Sequence, residues 1–313
     1  MEHSNPSQLL RKLVANIGQV FIGKDDVIQK AVITLLGQGH LLLEDLPGLG
    51  KTLLAKAIAK SISGTFKRIQ FTADLLPSDV TGMTVFSPED RSFAFRPGPI
   101  FTNILLADEI NRATPRTQSS LLEAMEEQSV TVDGQLHALE QPFFVIATQN
   151  PVELEGTYPL PFAQMDRFMT RLSIGYMARE MEMTMLKLKQ KEDLLRKLPA
   201  VVDCQEFAKL QQAVTGVHVE EALLGYIVDL VRATRANAGV EFGASPRGTL
   251  DVQRFAQAIA LFNDRSFVLP DDIKTAALNV LPHRLIARKR AQWSTAQSVE
   301  IIEQILSQVA VPI

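Results

Sequence analysis

Gly48, Gly50, Lys51 and Thr52 close the stretch LLLEDLPGLGKTLL, residues 41–54, at a spacing suited to gripping phosphate. In such a loop successive backbone N–H groups curl around the phosphates, and the helix that follows presents the positive end of its dipole. The lysine adds a point charge for the β and γ phosphates, and the threonine hydroxyl adds a ligand for Mg²⁺. The usual pattern is glycine, four residues, then Gly-Lys-Ser/Thr. Here Asp45 occupies the first glycine's place. That position starts the turn and does not have to approach phosphate, and Asp tolerates turn geometry. The loop is expected to work without the glycine, with a chance strand–turn–helix as the alternative.

Phosphate chemistry also needs an acid for the metal and a group to polarise water. Ile104–Glu109, ILLADE, is an apolar run that ends in two acids. Asp108 is expected to hold Mg²⁺ through water, and Glu109 to activate the attacking water. A solvated acid pair capping a strand is the plainer reading, and it loses weight because the run follows a suitable phosphate loop. Asn150 ends FFVIATQN, where its amide could orient water or touch the γ-phosphate, or could serve only as a turn residue before Pro151. Arg167 in MDRF and Arg247 in SPRG lie near helix boundaries. An arginine aimed at a transferring phosphate stabilises its charge, although surface pairing is the usual fate of arginine.

These groups need elements to position them. Residues 7–18 and 25–38 carry apolar side chains at helical spacing. HLLLE, KRIQF (67–71), NILLADE (103–109) and PFFVIATQN (142–150) are short apolar strands, with helices at Thr52–Ile62 and Arg116–Gln128. Strands alternating with helices imply a parallel sheet covered on both faces. Met83–Arg96 and SVTVDGQLHAL read as β-hairpins, the second turning at Asp133-Gly134. Beyond about residue 178 helical periods dominate, and Ser245-Pro246 and Pro270-Asp271-Asp272 open helices. The expected architecture is an α/β nucleotide-binding core over 1–190 and an all-α lid over 191–313, joined somewhere in 176–200.

The chain has 313 residues, 46% of them hydrophobic, 21% charged, with a net charge of −3. This is ordinary globular composition. No overall basic field is available for a polyanion, so nucleic-acid binding would need a local patch. The single cysteine, Cys204, fits a cytoplasmic setting and reads as structural. No apolar run is long enough for a signal peptide or a membrane span.

In order along the chain, FIGKDDVIQ, the phosphate loop, QFTADLLPSDVTG, FRPGPIFTNILLADEINRATPRTQSSLLEAMEEQSVTVDG, ATQNPVELEGTYPLPFAQMDRF, GASPRGTL and LPHR resemble the AAA+ ATPases, and among them the MoxR family. Family loops often read E-D-x-P-G-x-G-K-T, which makes Asp45 a tolerated variant. The resemblance implies ATP or ADP against Pro47, Gly48, Leu49, Gly50, Lys51, Thr52 and Leu53, with Ile22 and Gly23 beside the adenine. Thr52 and Asp108 would serve Mg²⁺. Lys51 and Thr52 match the Walker A motif, and Asp108 and Glu109 the Walker B motif. Asn150 matches sensor 1, Arg167 the arginine finger that reaches a neighbour's ATP, and Arg247 sensor 2 in the lid, a role that requires the lid to fold over the nucleotide. The two hairpins resemble the helix-2 insert and the hairpin before sensor 1. One departure stands before the finger, where Pro161-Phe162-Ala163-Gln164 replaces the usual Pro-Glu-Ala-Gln.

By resemblance the chain would form a homo-oligomeric ring, a hexamer. It would hydrolyse ATP to mature, remodel or insert cofactors into other protein complexes, often with a partner carrying a von Willebrand factor A domain. Two rivals stand beside this reading. One is a nucleic-acid motor, for which Arg284, Arg288, Lys289 and Arg290 form a basic cluster, read here as a solvated helical face. The other is an ATP-switched scaffold with little turnover. His40, His137, His218 and His283 are too scattered for a zinc site. Met177, Met181, Met183 and Met185 read as packing on the connecting helix. Ser119 and Ser120 have no triad partners.

Overall fold

The computed structural model describes residues 5–89, 91–151, 157–189, 194–288 and 295–312. Helix α1 (Pro6–Gly18) opens with proline in its first turn, and the Asn5 side chain accepts the Ser7 N–H at 2.9 Å. Such a cap satisfies a donor that the first turn leaves unpaired. Then come α2 (Asp25–Leu36), β1 (Leu41–Glu44), α3 (Lys51–Ser61), β2 (Phe66–Gln70), a short α4 (Pro77–Thr81) and the hairpin β3 (Gly82–Ser87) and β4 (Ser92–Pro97). The core continues through β5 (Ile104–Asp108), α5 (Pro115–Glu127), the hairpin β6 (Ser129–Val132) and β7 (Gln135–Ala138), β8 (Phe144–Gln149), α6 (Phe162–Met165) and β9 (Thr170–Leu172). Helices α7 (Arg179–Lys189) and α8 (Leu194–Lys197) lead to α9 (Cys204–Thr215) and α10 (Glu221–Ala236). The chain then runs through β10 (Val240–Phe242), α11 (Pro246–Phe262), α12 (Pro270–Val280), β11 (Ile286–Ala287) and α13 (Thr295–Gln308).

Five strands form one parallel sheet in the order β2-β5-β8-β1-β9. Side chains of a strand alternate between faces, and here both faces are buried. Leu41, Leu43, Ile104, Leu106, Phe144 and Ile146 point into a core shared with α1, α2, α3 and the helices from α9 onward. Leu42, Leu105, Ala107, Val145 and Ala147 point the other way, onto α5 residues such as Leu121 and Leu122. This two-sided burial explains why the strands read as unbroken apolar runs.

Two strand features depart from the sequence reading. The edge strand β9 was not anticipated, and the helical region contains a small antiparallel pair, β10 with β11. The helical region does not sit apart from the sheet. Val214, Phe255 and Ile273 belong to the same apolar core as Leu43 and Ile146. The join expected in 176–200 carries α7 and α8, with 190–193 outside the described residues. Among the described residues no helix is long and apolar enough to cross a membrane.

Candidate active site

In an open parallel sheet, ligands bind at the carboxyl ends of the strands where the order reverses. Here β1 and β5 flank β8. The loop after β1, the acids at the end of β5 and the amide after β8 therefore share one edge. Pro47, Gly48, Gly50, Lys51, Thr52, Leu53, Arg68, Gln70, Asp108, Glu109 and Asn150 line a cleft of about 480 Å³ there.

Gly48 and Gly50 take φ of 87° and 90°, a region in which a side chain is strained. A Cβ on Gly50 would also come within 3.0 Å of the Phe21 ring. Gly50 is the N-cap of α3 and no side chain caps that helix, so its first N–H groups are left for an anion. The Lys51 ammonium donates to the Asp45 carbonyl, which folds it back along the loop. Burial lowers its pKa, opposed by the charges of Asp45, Asp108 and Glu109.

Asp45 is buried and does more than tolerate a turn. Its carboxylate accepts the Ser173 hydroxyl at 2.8 Å and the N–H groups of Ile174 at 2.6 Å and Gly175 at 3.2 Å. The phosphate loop is thereby tied to the segment that follows β9.

The acid pair is held from β2 and β8. Thr148 donates its hydroxyl to Asp108 Oδ1 at 2.6 Å and accepts the Glu109 N–H at 2.9 Å. Arg68 reaches Asp108 Oδ2 at 2.6 Å. Gln70 and Arg112 donate to Glu109 Oε2 at 2.6 and 2.9 Å. Glu109 itself sits at φ 55°, a left-handed conformation uncommon outside glycine that turns the chain sharply after the strand. Thr52 and Asp108 bring hard oxygen donors to the same cleft, a donor set that suits Mg²⁺.

A second cavity of about 470 Å³ adjoins the cleft and shares Gly48, Gly50 and Leu53 with it. Val20, Phe21, Ile22, Leu49, Met177, Met185, Leu194 and Leu195 make it apolar, with Glu182 at its wall. Its size and lining suit a flat heterocyclic base. Gly23 has φ 74°, and a Cβ there would meet Met181 at 2.7 Å, so its bare backbone lets α7 close over the cavity. Met181 thus packs as expected, and Met177 and Met185 line the cavity.

Arg167 and Arg247 line neither space. Both converge on Glu126, near the end of α5. Arg167 Nε lies 3.2 Å from one carboxylate oxygen, and Arg247 donates to the other. Next to the first arginine, Asp166 accepts the Ser245 hydroxyl at 2.7 Å and Arg284 Nε at 2.7 Å. Ser245 caps α11 by accepting the Arg247 N–H at 3.1 Å. The lid therefore carries Arg247 to the side of Arg167, outside the lining of the cleft.

Arg284 overturns part of the basic-cluster reading. It is fully buried, and it bonds Asp166, Asp251 and the carbonyls of Asp166, Phe168, Met169 and Val280. It ends the short 3-10 turn Pro282–Arg284, in place of a helical face. Arg288 Nε donates to the Val240 carbonyl at 3.1 Å. Lys289 and Arg290 lie outside the described residues. Among the described residues no group of histidine, cysteine and carboxylate side chains could hold a metal by itself.

Sequence reasoning missed Arg68, Gln70, Thr148 and Glu126. A signal existed for three of them. Arg68 and Gln70 share one face at the end of a strand, and Thr148 stands two residues before Asn150 in an apolar run.

The family profile described as "ATPase family associated with various cellular activities (AAA)" matches residues 40–170, and an AAA lid domain profile matches 232–305. The sheet, the phosphate loop, the acid pair and the helical lid define an AAA+ ATPase. The chain is 49% identical over 305 residues to the uncharacterized protein YeaC of Bacillus subtilis, covering 97% of this chain and 95% of that one. It is 36% identical to the chaperone MoxR1 of Mycobacterium tuberculosis, over 97% of this chain and 82% of the relative. The crystal structure of a candidate ATPase from Cytophaga hutchinsonii superposes with a TM-score of 0.91 at 38% identity, covering 98% and 96% of the two chains. The chain belongs to the MoxR family of AAA+ ATPases.

Proposed function

We propose that the polar cleft and the apolar cavity together hold Mg·ATP, and that the chain works as a subunit of a ring, a hexamer, in the cytoplasm. The base enters the cavity beside Ile22 and Gly23, and the phosphates lie along Gly48–Thr52 with Lys51 at the β and γ positions. Thr52 and Asp108 would hold Mg²⁺, Asp108 through water, and the ion would supply positive charge against the phosphates. Glu109 takes a proton from the attacking water, and Asn150 orients that water from the end of β8. The nucleotide-binding core spans 1–190 and the lid 191–313.

The observation that carries the ring is the separation of the arginines from their own cleft. Arg167 and Arg247 share Glu126 and do not line the cleft, so a phosphate there lacks them unless a neighbour supplies both. On this reading the pair acts in trans, Arg247 serving a neighbour's nucleotide and not that of its own subunit. Hydrolysis then alters the subunit boundary, and that motion is the output.

The work is chaperone-like maturation or remodelling of separate protein complexes, in which a von Willebrand factor A domain protein is a partner. The similarity to the chaperone MoxR1 over nearly the whole chain supports this reading. The burial of Arg284 removes one leg of the nucleic-acid motor. Glu109→Gln tests the enzyme reading against the switched scaffold. The variant should bind ATP and lose hydrolysis, and a pull-down with it in the presence of ATP should retain clients. A wild-type ring that never turns over, with or without a partner, refutes the proposal.

A further inference from the structure

Glu126 lies in the last turn of α5, and its side chain is 40% exposed. An acid at a helix C-terminus is unfavourably placed in the helix dipole. Yet two guanidiniums from distant elements meet on it, one on each carboxylate oxygen.

The bases of those arginines are fixed independently of Glu126. Ser245 joins the first turn of α11, which carries Arg247, to Asp166, the residue before Arg167. Arg284, buried between them, binds Asp166 and Asp251. The two backbones are therefore held side by side, and the exchangeable part is the tips. A terminal phosphate is tetrahedral, but two of its oxygens offer a guanidinium the same bidentate acceptor pair as a carboxylate, with more charge and a third oxygen. Against the two guanidiniums Glu126 carries one negative charge, and a terminal phosphate carries about two.

We propose that Glu126 is a place-holder for the neighbouring subunit's terminal phosphate. It keeps Arg167 and Arg247 paired and correctly spaced while no nucleotide faces them. It yields them when the neighbour's ATP arrives and takes them back after phosphate leaves. The inference rests on the trans arrangement proposed above. Glu126 acts through the arginines and is a positioning residue.

Glu126→Gln keeps the shape and removes the competing charge. Turnover of assembled rings is measured against ATP concentration for wild type, E126Q and R167A. The expected result is a half-maximal ATP concentration lowered about two- to tenfold in E126Q, the scale of releasing a partly exposed ion pair, with kcat/KM raised to match. An unchanged or lowered kcat/KM overturns the place-holder and makes Glu126 a permanent orienting group or a bystander. If R167A rings hydrolyse like wild type, the trans reading itself has failed. If R167A is inactive and E126Q shows no shift, only the place-holder falls.

Discussion

The Asp45 carboxylate accepts the backbone N–H of Ile174 at 2.6 Å, and so joins the phosphate loop to the chain leaving β9. Gly175, Tyr176 and Met177, which follow directly, line the apolar cavity. Asp45 thus connects the part of the site proposed to read phosphate with the part proposed to hold the base.

Restoring the usual glycine is expected to harm the site. Asp45→Gly loses charge-assisted hydrogen bonds, each worth about 1.5–3 kcal/mol when buried, and frees the loop to move away from residues 173–175. ATP affinity measured by calorimetry should fall by roughly tenfold or more. Binding as tight as wild type would show that the tether is unimportant.

Thr148 links the two acids through one hydroxyl, donating to Asp108 and accepting from the Glu109 N–H. Thr148→Val keeps the volume and removes both bonds. The loss of a bond to a charged group and the unsatisfied N–H together amount to a few kcal/mol. The expected outcome is a fall in kcat of roughly ten- to a hundredfold, with far-UV circular dichroism retained. A kcat within twofold of wild type would remove Thr148 from the account.

Arg284 is buried against Asp166 and Asp251. Burial raises the pKa of Asp251, and the positive charges of Arg284 and Arg247 oppose that shift. Arg284→Ala leaves both acids without their partner, a change that costs about 3–5 kcal/mol. The thermal midpoint should drop on the order of 10 °C. A drop of only a degree or two would mean that the lid–core contact does not depend on this residue.

His40 is buried between β8 and α5. Its Nδ1 accepts the Val145 N–H at 3.1 Å, so Nε2 carries the proton and donates to the Met125 carbonyl at 3.1 Å. Burial pushes its pKa from 6.5 down to about 4. The unfolded chain protonates this histidine below pH 6.5 while the folded chain does not. The associated stability is therefore complete above pH 6.5 and is lost as pH falls from 6.5 toward 4. At pH 5 the loss is about 2 kcal/mol from His40. His283, lowered by burial and by the neighbouring Arg284, acts in the same direction. Urea midpoints at pH 7.5 and 5.0 should differ accordingly, and the His40 imidazole carbon shifts should stay constant from pH 7.5 to 5.5. An imidazole that titrates in that interval contradicts the burial argument.

What was legible in the sequence was local. The phosphate loop, the acid pair and the runs forming β1, β5 and β8 each declare themselves within a dozen residues through spacing and apolar content. The unread parts depend on partners far along the chain. Asp45 finds Ser173, Ile174 and Gly175, and Arg284 finds Asp166, only once the sheet and lid are assembled. Strand β9 is three residues long, too short for any alternation to show, and β1 supplies its pairing. Glu126 reads as an ordinary surface acid near a helix end, and its meaning comes from the two arginines that arrive from elsewhere. Met177 and Met185 line the cavity and Met181 packs over Gly23, while Met183, off their four-residue spacing, is exposed.

Lys51 and the loop around it are proposed to grip a magnesium-bound triphosphate. Titration calorimetry of Mg·ATP into folded wild type and Lys51→Ala tests this directly. Saturable binding by the wild type, weakened a hundredfold or more in the variant, is the predicted result. No heat of binding to the wild type, or equal affinity in the two proteins, would contradict it.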